Sequence, residues 1–331
     1  MTFSCIYCLK SAPDVAPSEA HIVPFVMGGS TATQDTVCLV CNSAVNQRIE
    51  MRTLDSFLFF QSVFGIRGRR NAIRKVPGVL ETEDLKAMVS LNEYGEINDA
   101  TVIPTKDKDG KPSYYIFGPL ESVEEKRRML SERYPHLKWE ETPRPSKATV
   151  WIDFDVRLGA SEFRRVAAKI AFEYFASLRG ASFVAHSEFD AIRRFIIEGD
   201  EPECLVGVVS DRKQFDLFRE LGPPHHTVWL VSHPFDHILG AIVGLYGLFY
   251  FWVILSSRYT ALGPMDEMLI EYPQKREAER PLLRAQIGDL RLPWANMVAA
   301  YTSDPGGCEK TSMAFAREKF NAFADEAYPR E

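Results

Sequence analysis

The sequence predicts an α+β protein, in which an N-terminal zinc module precedes mixed α/β and helix-plus-antiparallel-strand regions. Three observations predict this class. Two Cys-x-x-Cys motifs, Cys5–Cys8 and Cys38–Cys41, stand near the start of the chain. In the middle, short segments rich in β-branched residues alternate with turn residues and one charged amphipathic stretch. Further along, two helical patterns precede a long segment without charges, 238–257, whose residues favour strands.

Three domains are expected in the 331 residues, a length that allows more than one hydrophobic core. We expect a zinc domain with a basic segment at 1–75, a mixed α/β unit at 76–155 and an α+β domain at 156–331. Residues 1–75 hold eight Lys and Arg against five Asp and Glu, although the whole chain has a net charge of -6. The acidic last domain is therefore expected to bind a protein partner, a second copy of the chain or a signal rather than nucleic acid.

The zinc module is predicted to contain one strand and one helix. Residues 20–23 favour a strand because the segment is short, β-branched and followed by Pro24. A glycine turn and the second cysteine pair come next. Apolar residues then recur at helical spacing from about Asn42 to Phe60. Asn42 would therefore lie in the first turn of this helix.

Regular patterns also predict the later elements. Strands are expected where apolar and polar residues alternate between turns, and helices where apolar residues recur every three or four positions. The predicted strands are 86–92, 99–104, 113–118, 148–154, 204–210 and 226–232, and the predicted helices are 121–133, 161–178, 187–198 and 309–327.

Segment 238–257 contains no charged residue and is long enough to cross a bilayer. Its β-branched and aromatic residues, its three glycines and the absence of a neighbouring basic cluster favour two buried antiparallel strands that meet near Tyr246-Gly247. A membrane-anchored effector is the less favoured alternative.

Four thiolates in two short hooks form the ligand set of tetrahedral zinc, because a two-residue spacer lets both sulfurs of a hook reach one ion. The sequence therefore predicts a structural Zn²⁺ ion bound by Cys5, Cys8, Cys38 and Cys41. A redox pair or fortuitous spacing is the alternative. Metal binding in place of disulfide bonds suits a reducing compartment, and the start of the chain lacks a secretory signal, so we expect a cytoplasmic protein.

The chain within and around the cysteine pairs resembles the zinc-containing HNH endonucleases. The resemblance covers about residues 5–52. It implies the ββα-metal fold, with His21 as the general base and Asn42 as the ligand of a catalytic Mg²⁺ or other divalent cation at the helix start. Such a pair has the chemistry that phosphodiester hydrolysis needs, a base for water and a cation for the phosphate charge. The motifs that carry the resemblance are Cys5-Ile6-Tyr7-Cys8, Glu19-Ala20-His21-Ile22-Val23-Pro24 with Gly28-Gly29, and Val37-Cys38-Leu39-Val40-Cys41-Asn42.

Two positions depart from the family pattern. The middle asparagine of the family has no clear match, and Asp35 and Thr36 lie nearest to its place. Members commonly carry a second metal ligand just before the base, where this chain has Ala20. Asp35 is the carboxylate most able to compensate, although a loop or capping role is the commoner use of such a residue, and Mg²⁺ also tolerates a shell made largely of water. The sequence therefore predicts a metal-dependent endonuclease that acts on DNA, with a restriction or phage-defence role by analogy alone. The alternative is an inert zinc module that binds nucleic acid or protein.

Basic residues follow the candidate site. Arg48 and Arg52 are four positions apart and would share a helix face, so Arg48 is a candidate for stabilising the pentavalent phosphate. Arg52 and the basic run after the helix are candidates for binding the DNA backbone, with a solvated charged surface as an equally good explanation and RNA as the alternative substrate. The run comprises Arg67, Arg69, Arg70, Arg74 and Lys75.

The remaining histidine and cysteine clusters match no standard metal-binding spacing. Structural roles are expected for His225, His226, His233 and His237, and Cys204 and Cys308 are expected to be ordinary buried thiols.

Overall fold

The chain forms two compact units, one built from residues 1–57 and 156–331 and the other from residues 58–155. The N-terminal zinc module therefore shares a unit with the C-terminal half. The predicted boundaries of three independent domains, at residues 75 and 155, stay a prediction. The computed structural model describes residues 3–68, 75–81, 86–92, 97–106, 110, 112–135, 138–139, 149–151, 156–201, 203–211, 221–222, 224–233, 237–260, 265–280 and 294–327.

The predicted α+β class is confirmed, and the chain begins with two strands followed by a helix. The strands pair antiparallel, from Pro17 opposite Cys38 to His21 opposite Ala32. The elements are β1 (Pro17–His21), β2 (Ala32–Cys38), α1 (Leu39–Val45) and α2 (Met51–Val63), and a π-helical turn (Asn46–Glu50) joins the two helices.

Two boundaries of this module differ from expectation. The first strand lies at 17–21 rather than 20–23, because those are the residues that pair with β2. The helix begins at Leu39 rather than Asn42, since the Cys38 sulfur caps it by accepting a backbone N–H from the first turn. β2 itself was not predicted, because polar residues occupy its first half and hide the alternation typical of a strand.

The unit of residues 58–155 combines small antiparallel sheets with a helix. Its elements are β3 (Val76–Glu81), β4 (Lys86–Leu91), β5 (Thr101–Lys106), β6 (Pro112–Phe117), α3 (Leu120–Arg133) and β7 (Thr149–Trp151). The strands pair in the orders β4-β3-β7 and β5-β6. Leu80, Val89 and Leu91 form a small core. The sequence predicted these elements apart from β3, whose Pro77 and Gly78 are typical of turns.

Residues 156–331 contribute a sheet with helices on both faces. The helices are α4 (Ser161–Arg179), α5 (Ala181–Val184), α6 (Asp190–Glu198), α7 (Trp294–Ser303) and α8 (Pro305–Ala327). The strands are β8 (Val206–Val208), β9 (His226–His233), β10 (Ile238–Leu245), β11 (Phe249–Ser256), β12 (Met265–Tyr272) and β13 (Glu277–Glu279). They pair antiparallel in the order β13-β12-β9-β10-β11-β8. The sequence did not predict β12, β13, α5 or α7.

Alternate residues of β11 face the two helical layers. Phe249 packs against Phe57, which in turn packs edge-on against Phe163 of α4 with ring centroids 5.0 Å apart. Trp252, on the opposite face of the strand, packs against Tyr301 of α7 at 5.9 Å. The sheet is therefore a middle layer that is buried on both faces, and continuous apolar strands are typical of that position.

The charge-free segment forms the hairpin of β10 and β11, as predicted, with its turn at Tyr246 and Gly247. A Cβ atom on Gly240 would lie 2.4 Å from the ring of Trp294, so this glycine makes room for an aromatic side chain of α7. In the part of the chain that the structure describes, no helix is both long and apolar enough to cross a membrane.

Candidate metal centre and active site

The four cysteines of the two hooks meet in one cluster. Their sulfur atoms all lie within 4.8 Å of one another, and the sulfurs of Cys8 and Cys38 are 3.9 Å apart. Tetrahedral zinc with Zn–S bonds of about 2.3 Å holds its sulfurs roughly 3.8 Å apart. Cys5 and Cys38 are buried, whereas Cys8 and Cys41 are partly exposed. The cluster thus has the ligand number, the spacing and the donor type of a structural zinc site.

The electrostatics of the cluster also favour a cation. The hydrogen bond with Cys41 lowers the pKa of Cys5 to about 4, although burial opposes this shift. The same hydrogen bond, together with burial, raises the pKa of Cys41. One thiolate is therefore stabilised at the expense of its neighbour, and a central divalent ion would let all four sulfurs ionise.

Asn42 fastens the start of α1 to β1. Its Nδ2 donates hydrogen bonds to the Ser18 hydroxyl at 2.9 Å and to the Glu19 carbonyl at 2.8 Å. Both bonds use the amide nitrogen, so Oδ1 is the atom that could bind a cation. His21 lies two residues beyond Glu19, about 7 Å along an extended strand. Its half-buried ring packs edge-on against Phe25 at 5.1 Å.

Residues 5–58 match the family model of the HNH endonucleases. This match and the cysteine cluster confirm the predicted resemblance to zinc-containing members of that family. Comparison with curated proteins and with solved structures gave no match. We call residues 5–58 the HNH segment.

The side chains of β1 alternate between the core and the surface of the HNH segment. Ala20 is fully buried, at 0% exposure, so its position faces away from solvent. Glu19 is exposed and His21 is half-buried, which places both on the outer face of the strand. Asp35 is exposed in the part of β2 where pairing with β1 becomes irregular. Glu19 is thus a carboxylate on the same strand face as His21, a role that sequence reasoning did not give it.

The candidate phosphate-binding residues of the HNH segment are exposed. Arg48 lies in the π-helical turn, and Arg52, 62% exposed, forms an ion pair with Glu162 at 3.5 Å. In the second unit, Arg67 and Lys75 are also exposed. The other members of the predicted basic run, Arg69, Arg70 and Arg74, lie outside the described residues.

Lys169 of α4 reaches the end of β1 from the C-terminal half. Its side chain is 1% exposed. The ammonium group donates hydrogen bonds to the His21 carbonyl and, at 3.0 Å, to the Ile22 carbonyl. It also forms ion pairs with Glu50 at 3.2 Å and Glu173 at 3.0 Å. Burial alone would lower the pKa of Lys169, but the two carboxylates raise it, so the ammonium stays charged.

Two further contacts hold the first cysteine hook. The Tyr7 hydroxyl donates to the Glu173 carboxylate at 2.8 Å. Arg193 of α6 donates through Nε to the Ile6 carbonyl at 2.8 Å. Helices α4 and α6 therefore contact the zinc hook through buried polar side chains, and the hook depends on them for hydrogen bonding.

The sheet supports the loop between β1 and β2. Glu271 of β12 accepts the Thr31 backbone N–H at 2.7 Å, and His226 of β9 contacts the Met27 carbonyl through Nε2 at 3.0 Å. The backbone N–H of Tyr246 donates to Nδ1 of the same imidazole. Burial lowers the pKa of His226 to about 3, so the ring is neutral, with its proton on Nε2. This is a structural role of the kind predicted for His226.

Sequence reasoning missed this set of supporting residues. Glu173 is one of them, and its side chain is only 1% exposed although it is charged. A charged residue between apolar neighbours, such as Lys169 between Ala168 and Ile170, gives one available signal, because such a group is buried only with a partner. The partners themselves lie far away in the sequence, 148 residues away for Lys169 and His21.

Proposed function

We propose that the chain is a metal-dependent endonuclease that hydrolyses phosphodiester bonds in DNA. The observation that carries the proposal is Asn42, which lies beside the cysteine cluster and is hydrogen-bonded to the strand that ends in His21. The match of residues 5–58 to the HNH endonucleases supports a nuclease-type activity.

In this mechanism, His21 accepts a proton from the attacking water, and Asn42 would hold the catalytic cation through Oδ1. The cation, Mg²⁺ or another divalent ion, would supply positive charge to the scissile phosphate. Arg48 would add charge to the pentavalent phosphate from the π-helical turn. Zinc on the four cysteines would hold the two halves of the module in register.

The exposed basic residues support nucleic acid as the substrate. Arg52 and, in the second unit, Arg67 and Lys75 offer contacts to phosphates without contacts to bases. We therefore expect DNA binding with little sequence preference and a strong dependence on salt, and a parallel assay on RNA distinguishes the two substrates.

The decisive experiment compares the full-length parent with His21→Ala and His237→Ala. His237 is an exposed histidine outside the site and serves as the control. We expect the parent and the control to nick supercoiled plasmid with Mg²⁺ and to stop when EDTA is added, while His21→Ala loses at least 100-fold in rate with equal zinc content. Equal nicking by all three proteins would refute the proposal.

A non-catalytic zinc module is the second candidate. It is favoured by Ala20, which provides no ligand where the family commonly has one. That candidate requires a parent protein that shifts DNA in gels at low salt and leaves it uncut with Mg²⁺ or Mn²⁺.

A restriction or phage-defence role in the cytoplasm is the biological setting that we propose, since zinc-bound thiolates suit a reducing compartment. Phage plating on cells that express the parent or His21→Ala tests it. Binding of a protein partner or a second copy by residues 156–331 stays a prediction.

A further inference from the structure

The Lys169 ammonium group donates hydrogen bonds to two consecutive backbone carbonyls, those of His21 and Ile22. In a regular strand, successive carbonyls point to opposite edges. Because a single ammonium group contacts both carbonyls, the backbone departs from regular strand geometry at His21 and Ile22. The backbone that carries the imidazole of His21 is fixed there by a side chain from α4.

The surroundings of Lys169 hold it in place. Glu50 lies in the π-helical turn of the HNH segment and Glu173 lies one turn further along α4, and both carboxylates contact the ammonium. Glu173 is fixed in turn by the Tyr7 hydroxyl. Lys169 thus joins β1 to the π-helical turn directly and, through Glu173 and Tyr7, to the first cysteine hook.

We infer that Lys169 is a positioning residue of the nuclease site, which orients the His21 imidazole through the backbone. It does not touch the substrate. The inference rests on the proposed function, because it assigns a part in that reaction. A displacement of about 1 Å at a reacting group can cost on the order of 100-fold in rate, so loss of this anchor acts mainly on kcat.

The variants must separate positioning from general stability. Lys169→Met alone leaves two carboxylates without their cation and can fail to fold. The double variant Lys169→Met with Glu173→Gln removes one cation and one carboxylate, so the net charge of the cluster is unchanged, and only Glu50, whose side chain is 12% exposed, is left without its partner. Arg165→Met is the matched control, because Arg165 is a buried cation on the same helix that also donates to two consecutive carbonyls, those of Ile196 and Ile197, outside the HNH segment.

Two measurements on the full-length protein test whether Lys169 orients the His21 ring. The first is the NMR spectrum of protein with ¹⁵N-labelled histidine, in which the His21 ring signals are assigned by their loss in His21→Ala. The second is plasmid nicking with Mg²⁺, resolved into kcat and KM, with the zinc content measured alongside. We expect the double variant to shift the His21 ring signals and to lose at least tenfold in kcat, with KM within twofold and zinc retained. Arg165→Met should leave the ring signals unchanged.

Unchanged His21 signals in a folded, zinc-loaded double variant would overturn the inference, and so would a shift of equal size in Arg165→Met. The spectra do not depend on activity. If His21→Ala nicks DNA as fast as the parent, the proposed function fails, and the spectra still show whether Lys169 orients the ring.

Discussion

Glu173 should make the protein less stable as the pH rises, because it is a buried carboxyl group that shares its cation with another carboxylate. Burial raises the pKa of Glu173 from 4.5 to about 7, although Lys169 and Tyr7 favour the charged form. Glu50 also contacts Lys169, so the ammonium keeps a counter-ion when Glu173 is protonated.

The folded protein holds this proton more tightly than the unfolded chain does. The contribution of Glu173 to stability is therefore fully present below pH 4.5 and is lost as the pH rises towards 7. The difference between the two pKa values corresponds to a loss of about 3 kcal/mol in the free energy of unfolding.

Glu173→Gln removes the ionisation and keeps the size of the side chain. Urea unfolding of both proteins at pH 5, 6, 7 and 8 measures the effect. We expect the stability of the variant, relative to the parent, to rise by about 2 kcal/mol over this range. Zinc binding and the other groups titrate in both proteins, so the difference isolates Glu173. A difference that stays constant to within about 0.5 kcal/mol would refute the reasoning.

Three further predictions concern the module itself. A Cβ atom at Gly29 would lie 2.0 Å from a backbone carbonyl oxygen, so Gly29→Ala should cost about 1–3 kcal/mol in urea unfolding. Gly306→Ala should not, because a Cβ atom there would meet an Asp304 oxygen at 4.0 Å, an ordinary contact distance. Cys41→Ser should lower the zinc content measured by mass spectrometry and the Tm by on the order of 5 °C; full zinc occupancy in this variant would contradict the four-cysteine site. Glu19→Gln should raise the Mg²⁺ concentration for half-maximal nicking several-fold, because the Glu19 carboxylate shares a strand face with the proposed base. Asp35→Asn should leave that concentration unchanged. An effect of Asp35→Asn without an effect of Glu19→Gln would assign the compensating carboxylate to Asp35.

The zinc cluster could be predicted from the sequence because its information is local. Each hook places two sulfurs on one short turn, and only the pairing of the hooks requires the fold. The hairpin of β10 and β11 could be predicted for a similar reason, since a glycine turn and uninterrupted β-branched and aromatic residues lie within 20 positions. Asn42 was placed correctly in the first helical turn even though the helix begins three residues earlier.

The contacts of Lys169 and Arg193 with the N-terminal backbone could not be predicted, because each joins a side chain to a carbonyl group far away in the chain. Nothing in the sequence of α4 shows that Lys169 meets the carbonyl of His21. β12 was missed because acidic residues interrupt its apolar pattern. One of them, Glu271, is buried because it accepts a hydrogen bond from the backbone N–H of Thr31, which is 240 positions away in the chain.

The separation between Thr31 and Glu271 also has a consequence during protein synthesis. The four cysteines of the cluster lie within positions 5–41, but the 240 positions that separate Thr31 from Glu271 take on the order of 10 to 50 s to translate. A nascent chain can therefore acquire its metal long before β12 arrives to complete the hydrogen bonds of the loop. Any property that needs the finished loop would therefore appear only after Glu271 has been translated.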